Sequence, residues 1–167
     1  MAPRQPLFPA YSVPWLATGG AIAALCIAWI AQYGFNLAPC ELCYWQRYGY
    51  YAAIAIGLVT IFQRGNSQAR WIGVCLLALA FLATAGIAIF HVGVEQKWWE
   101  GFASCTGAFD PSMTTEELEQ SIMNAPIVRC DEPAWTMFGI SMAGYNALYA
   151  LLLAAFTACG AWRMVNR

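Results

Sequence analysis

Charge is what this sequence has least of. Asp, Glu, Lys and Arg together make up 10% of it, against about 25% in an ordinary soluble domain, and that deficit excludes a water-soluble globule. A basic excess is missing as well. The formal net charge is −1, so nothing favours nucleic acid, whose binding rests on neutralising phosphates. No small-residue cleavage site follows a short apolar core near the N-terminus. The first apolar run is full length, so it reads as a retained span and not as a cleaved signal peptide. Internal repeats and low-complexity tracts are absent too, and 167 residues suit one domain.

What is present is apolar: 60% of residues are hydrophobic and 15% aromatic. Four runs stand out, at about 15–35, 44–62, 71–92 and 135–162, each close to the roughly 20 residues that cross a bilayer core. A short polar turn, 63–70, separates the second from the third. The stretch 93–134 between the third and fourth is mixed, charged and punctuated by proline and glycine. The expectation is an all-α membrane protein, a single domain over 1–167 built as a four-transmembrane-helix bundle. Inside the long loop, Thr114 and Glu117 have the spacing of a capping box. They predict a short amphipathic helix over 115–124, stopped by Pro126, with Leu118, Ile122 and Met123 on one face. Such a helix suits a membrane surface or its own loop equally.

The arginines orient the bundle. Four spans put both termini and the turn at 63–70 on one side, with Arg4, Arg64, Arg70, Arg163 and Arg167. Arg47, Lys97, Arg129 and all nine acidic residues fall on the other. Positive charge collects on the cytoplasmic side, so both termini are expected there. The first link and the loop 93–134 then face outward, where disulfides persist.

Seven cysteines are present. Cys26, Cys75 and Cys159 lie inside apolar runs and read as small hydrophobes. Cys40, Cys43, Cys105 and Cys130 fall on the outward side. Four cysteines allow three pairings; the natural one joins Cys40 to Cys43 and Cys105 to Cys130. It leaves a tight pair at a helix start and a second pair spanning a flexible loop. Two such pairs can relay electrons through mixed disulfides. Two rivals compete with that reading. Four thiolates could hold zinc, although the second pair is widely spaced. Two outward disulfides could also merely staple a non-catalytic membrane protein.

Around the Cys-x-x-Cys pair the chemistry sharpens. Cys43 falls in the first turn of the second span, where backbone amides and the helix dipole favour a thiolate. Arg47, four residues on, shares its face and would stabilise an anion there. His91 is the only histidine and closes the third span on the outward side. Glu95, one turn further, can pair with it if the helix continues. Trp98, Trp99 and Trp135 suit an aromatic belt at the outer boundary.

Pro39-Cys40-Glu41-Leu42-Cys43-Tyr44-Trp45-Gln46-Arg47, then His91-Val92-Gly93-Val94-Glu95, Trp98-Trp99-Glu100-Gly101, Cys130-Asp131-Glu132-Pro133-Ala134-Trp135 and Gly139-Ile140-Ser141-Met142-Ala143 occur in that order. In combination the chain resembles the disulfide bond formation protein B family (DsbB) of bacterial inner membranes. Gln46 departs from the pattern, since the best-known members carry an acidic side chain there. Vitamin K epoxide reductases are a second resemblance, but their loop pair precedes the Cys-x-x-Cys. The first resemblance implies a multi-pass inner-membrane enzyme with a periplasmic active face. Its substrate would be a reduced, thioredoxin-like periplasmic oxidase (DsbA), captured by the Cys105–Cys130 disulfide. Electrons would pass through Cys40–Cys43 to ubiquinone, or to menaquinone. Cys43, Arg47 and His91 would be the residues beside the quinone, with no metal and no nucleic-acid partner.

Overall fold

The computed structural model describes residues 12–63, 65–102, 105, 114–123 and 128–166. Arg4, Arg64, Pro126 and Arg167, invoked above, lie outside them. Helix α1 covers Val13–Trp29 with proline in its first turn, where the missing N–H costs nothing. It runs on as a wider π-helical turn, Ile30–Gly34, and Asn36 then reverses the chain at φ 54°. Helix α2 covers Glu41–Phe62 and α3 covers Ser67–Glu95. The side chain of Asn66 caps α3, accepting from the Ala69 N–H at 3.0 Å. A short α4, Thr115–Met123, lies in the loop. Helix α5 covers Met142–Val165.

Several boundaries differ from expectation. Helix α2 begins ahead of its apolar run, α3 extends past its run at both ends, and α5 continues past Trp162. The fourth run does not begin a helix at Trp135. Thr136–Met137 (β1) and Ile140–Ser141 (β2) form a small antiparallel hairpin instead. Phe138 and Gly139 carry φ of 51° and 77° at its turn, the left-handed pair a two-residue hairpin needs. Only then does Ser141 cap α5, its Oγ accepting from the Gly144 N–H at 3.1 Å.

The four long helices form one bundle in which α3 packs chiefly on α5 and α2, and α1 on α2 and α5. Its centre is made of Ala17, Ala21 and Leu25 of α1, Tyr50 and Ala53 of α2, Leu77 and Phe81 of α3, and Ala154 of α5. Small residues let the backbones approach, as apolar surroundings require. A Cβ on Gly57 would collide with the Thr18 hydroxyl, and one on Gly49 with that of Thr84. Those hydroxyls donate to carbonyls one turn back, Thr18 to Pro14 at 2.7 Å and Thr84 to Ala80 at 2.9 Å. The close packing therefore leaves neither threonine hydroxyl without an acceptor.

The outer surface is apolar, with Ile27, Val59, Leu79 and Leu152 all exposed. Among the described residues, three helices are long and apolar enough to cross a membrane: Val13–Gly34, Ser67–Glu95 and Met142–Val165. Helix α2 is long enough at 22 residues, but Cys43, Gln46, Arg47 and several tyrosines make its first half polar. That half turns toward the site.

Candidate functional site

Cys40 stands at the N-cap of α2 with extended backbone, φ −77° and ψ 175°, and Cys43 follows in the first turn. Their sulfurs are 3.1 Å apart, and both are free thiols. The expected Cys40–Cys43 bond is not formed here. Cys105 and Cys130 are joined, with Cα atoms 5.3 Å apart. The Cys130 N–H also donates to the Cys105 carbonyl at 2.8 Å. This second pair is not displayed on the surface as a free-standing loop pair. Both its cysteines are buried, packed with Cys40, Leu42 and Val94. The Cys40 sulfur, the Cys130 sulfur and a ring nitrogen of His91 all lie within 4.8 Å of one another.

His91 is buried near the end of α3. Its Nε2 is 3.5 Å from the Cys40 sulfur. The helix does continue, so Glu95 Oε1 reaches within 3.8 Å of the same nitrogen. The Cys43 thiol first, and then His91, pull the Cys40 thiol down to about 4. The sulfur most favoured as a thiolate is thus Cys40, where helix position alone had pointed to Cys43.

Arg47 leans toward α1. Its Nη1 donates to Gln32 Oε1 at 2.5 Å and its Nη2 to the Ala28 carbonyl at 3.4 Å. Its guanidinium also lies over the Tyr44 ring, 5.4 Å from the centroid. Gln32 sits in the π-helical turn, a feature frequent at functional sites. Cys40, Cys43, Gln46, Arg47 and His91 line a partly open cavity of about 420 Å³, with apolar residues of α1 and α5 and with Glu95, Arg129, Glu132 and Asn146. That volume and that mixture of few polar groups on apolar walls suit a small organic ligand.

Three features escaped the sequence. Gln46 Nε2 lies 2.9 Å from His91 Nδ1, Asn146 Nδ2 donates to Gln46 Oε1 at 2.6 Å, and the Tyr50 hydroxyl donates to Asn146 Oδ1 at 2.6 Å. The signal available was a lone Asn in an apolar run, since amides inside a membrane bundle rarely lack a purpose. Next, Asp131 anchors the segment after Cys130. It pairs with Lys97 at the exit of α3 and with Arg129 at 2.7 Å. Arg129 first, then Lys97, hold its carboxyl well below the usual carboxylate range. Finally, Trp99 is more than a belt residue. Its indole N–H donates to the Phe90 carbonyl at 3.0 Å, and its ring stacks on Phe90 and covers Gly93. Cys26 and Cys159 are exposed on the bundle and Cys75 half-buried, all as free thiols.

A sequence profile of the family described as "Disulfide bond formation protein DsbB" matches residues 11–160. The chain belongs to the DsbB family. It is 31% identical over 150 residues to disulfide bond formation protein B of Herminiimonas arsenicoxydans, covering 83% of this chain and 87% of that one. It is 26% identical over 153 residues to disulfide bond formation protein B of Methylobacillus flagellatus, covering 86% and 90%. An uncharacterised protein of Rickettsia prowazekii is 30% identical over 137 residues, covering 81% and 78%. No solved structure matches the chain. DsbB membership makes this a membrane protein of disulfide bond formation, with the protein-disulfide oxidoreductase activity that the family implies.

Proposed function

We propose that the protein is a thiol:quinone oxidoreductase that reoxidises a periplasmic thioredoxin-like dithiol protein of the DsbA type. All four long helices would cross the inner membrane, with termini cytoplasmic and the loop and cysteine pairs on the periplasmic face. The observation that carries the reading is the meeting of Cys130, Cys40 and His91 within 4.8 Å, on the wall of a cavity that also holds Cys43 and Arg47.

The exchange steps balance as follows. A donor thiolate attacks the Cys105 sulfur, and Cys130 leaves as a thiolate. Cys130 attacks Cys40 of an oxidised Cys40–Cys43 pair, forming Cys40–Cys130 and releasing the Cys43 thiolate. The donor's second thiol resolves the mixed disulfide, so the donor departs oxidised and Cys105 is freed. Cys105 then attacks Cys130, restoring Cys105–Cys130 and leaving Cys40 and Cys43 reduced.

A quinone, when bound, supplies an acceptor for two electrons and two protons. The cavity fits such a group in size, and its lining mixes apolar side chains with a few polar ones. Cys43 and Arg47 would flank the headgroup, Arg47 holding a developing anion while Gln32 and Ala28 hold Arg47. Ubiquinone is the proposed acceptor, with menaquinone as the substitute.

The test mixes purified protein with a reduced thioredoxin-like oxidase and a short-chain ubiquinone. Ultraviolet absorbance of the quinone should fall by one equivalent for each donor disulfide formed. A donor left reduced, or oxidised with no quinone consumed, would overturn the proposal. The second outcome would instead favour simple disulfide exchange.

A further inference from the structure

We propose that Gln46, held in turn by Asn146 and Tyr50, fixes the neutral His91 ring in the tautomer with its proton on Nε2 and aims that N–H at the Cys40 sulfur. The argument starts from an atom that has no choice. The Leu42 carbonyl can only accept, and a side-chain atom of Gln46 lies 3.2 Å from it. That atom must be the amide nitrogen, whichever way the amide is first drawn. The same nitrogen lies 2.9 Å from His91 Nδ1. With one hydrogen on Leu42 O, its other hydrogen faces Nδ1, which must therefore accept. A neutral imidazole that accepts at Nδ1 carries its proton on Nε2, and Nε2 is the atom 3.5 Å from the Cys40 sulfur.

The far end of Gln46 is equally determined. Its Oε1 needs a donor, and Asn146 Nδ2 supplies one at 2.6 Å. Asn146 Oδ1 is then left to accept from the Tyr50 hydroxyl at 2.6 Å. Every polar atom facing along the chain from Tyr50 to Cys40 has a partner in this direction. Reversing it would set the Gln46 oxygen against the Leu42 carbonyl oxygen. Glu95 Oε1, 3.8 Å from Nε2, is beyond ordinary hydrogen-bond reach; the Cys130 backbone also accepts from the ring, and with Nδ1 accepting, that bond requires the proton on Nε2 as well.

Gln46 and Asn146 are accordingly positioning residues. Neither amide gains or loses a proton under working conditions, so the chain orients His91 and does not conduct protons inward. The inference concerns the same site as the proposed relay, and it rests on that reading only for its consequence, that His91 supports Cys40 during exchange. Its test needs neither donor nor quinone.

His91 is the only histidine, so histidine labelled with nitrogen-15 reports on this ring alone. Spectra of the detergent-solubilised protein are taken at a pH where the ring is neutral. The wild type should show a protonated Nε2 and an unprotonated Nδ1. Gln46→Glu places a carboxylate on Nδ1 and should invert the pattern to a protonated Nδ1. Gln46→Leu should give a mixture, and Asn146→Leu a partial shift toward that mixture. Retention of the Cys105–Cys130 disulfide serves as the folding control. A wild type protonated on Nδ1, or the same tautomer in wild type and a folded Gln46→Glu, would overturn the assignment.

Discussion

Cys130 and Cys40, ninety positions apart in the chain, have sulfurs within 4.8 Å of each other and of a His91 ring nitrogen. Cys130 already belongs to a disulfide with Cys105, while Cys40 is a thiol. In the proposed relay the two pairs act as one exchange centre, with Cys40 as the sulfur that crosses between them. Cys43 remains on the cavity side.

Cys43→Ser removes the outlet and leaves capture of the donor at Cys105–Cys130 intact. The variant should still form a mixed disulfide with a reduced donor, but it should reduce quinone at background rate. Without donor, the unpartnered Cys40 thiolate can attack Cys130 and release Cys105 as a thiolate, so a Cys40–Cys130 bond should accumulate in place of Cys105–Cys130. Peptide mapping under non-reducing conditions would detect the bond. Normal quinone reduction by this variant would refute the assignment of Cys43.

The Cys40 thiol is pulled to about 4, first by the Cys43 thiol and then by His91. A depressed thiol adds stability above its unfolded value and loses it as pH falls through the folded one. In the reduced pair, one thiolate should therefore persist from neutral pH down to about 4 and vanish below. Thiolate ultraviolet absorbance across a pH series checks this. Cys43→Ala should move the midpoint upward further than His91→Ala does. A midpoint in the ordinary thiol range for the wild type would contradict the geometry.

The helices were readable because apolar runs of bilayer length leave little else to form, and the DsbB resemblance rested on residues that the bundle does bring together. Residues 135–141 were misread because their aromatic and apolar content resembles the helix that follows. Only the left-handed Phe138–Gly139 turn and the Ser141 cap reveal the hairpin. Gln46 stood out in the sequence only as a departure from the family's acidic residue. Its meaning depends on Asn146, one hundred positions away, and a uniformly apolar run does not say which face meets which neighbour. The burial of Cys105 and Cys130 was hidden for the same reason, since charged and proline-rich surroundings imply exposure.

Asp131 holds the Cys130 segment against the exit of α3 through Lys97 and Arg129. Both cations are well exposed, so Asp131→Ala should cost the fold less than about 1 kcal/mol. Its larger effect should be local: reduction of Cys105–Cys130 by a small dithiol should accelerate several-fold as the segment lifts. Since Arg129 and Lys97 keep this carboxyl ionised well below the usual range, the wild-type protection should persist in mild acid. Equal reduction rates in wild type and variant would show that burial by Leu42 and Val94 suffices without the ion pairs.

Arg47 is a cation on the cavity wall beside Cys43, and its direction is set by Gln32 at 2.5 Å and the Ala28 carbonyl at 3.4 Å. Hydrogen bonds to charged groups contribute about 1.5–3 kcal/mol, so Arg47→Ala should raise the apparent KM for quinone roughly tenfold or more. Capture of the donor at Cys105 should be unaffected, because that step uses only sulfur and the loop. Gln32→Leu keeps the charge but releases its aim, and should fall between wild type and Arg47→Ala. A quinone concentration series for the three proteins, with donor capture measured in parallel, separates the possibilities. If Arg47→Ala left the KM unchanged, the guanidinium would be a membrane-boundary anchor stacked on Tyr44, and the headgroup would lie at another part of the cavity.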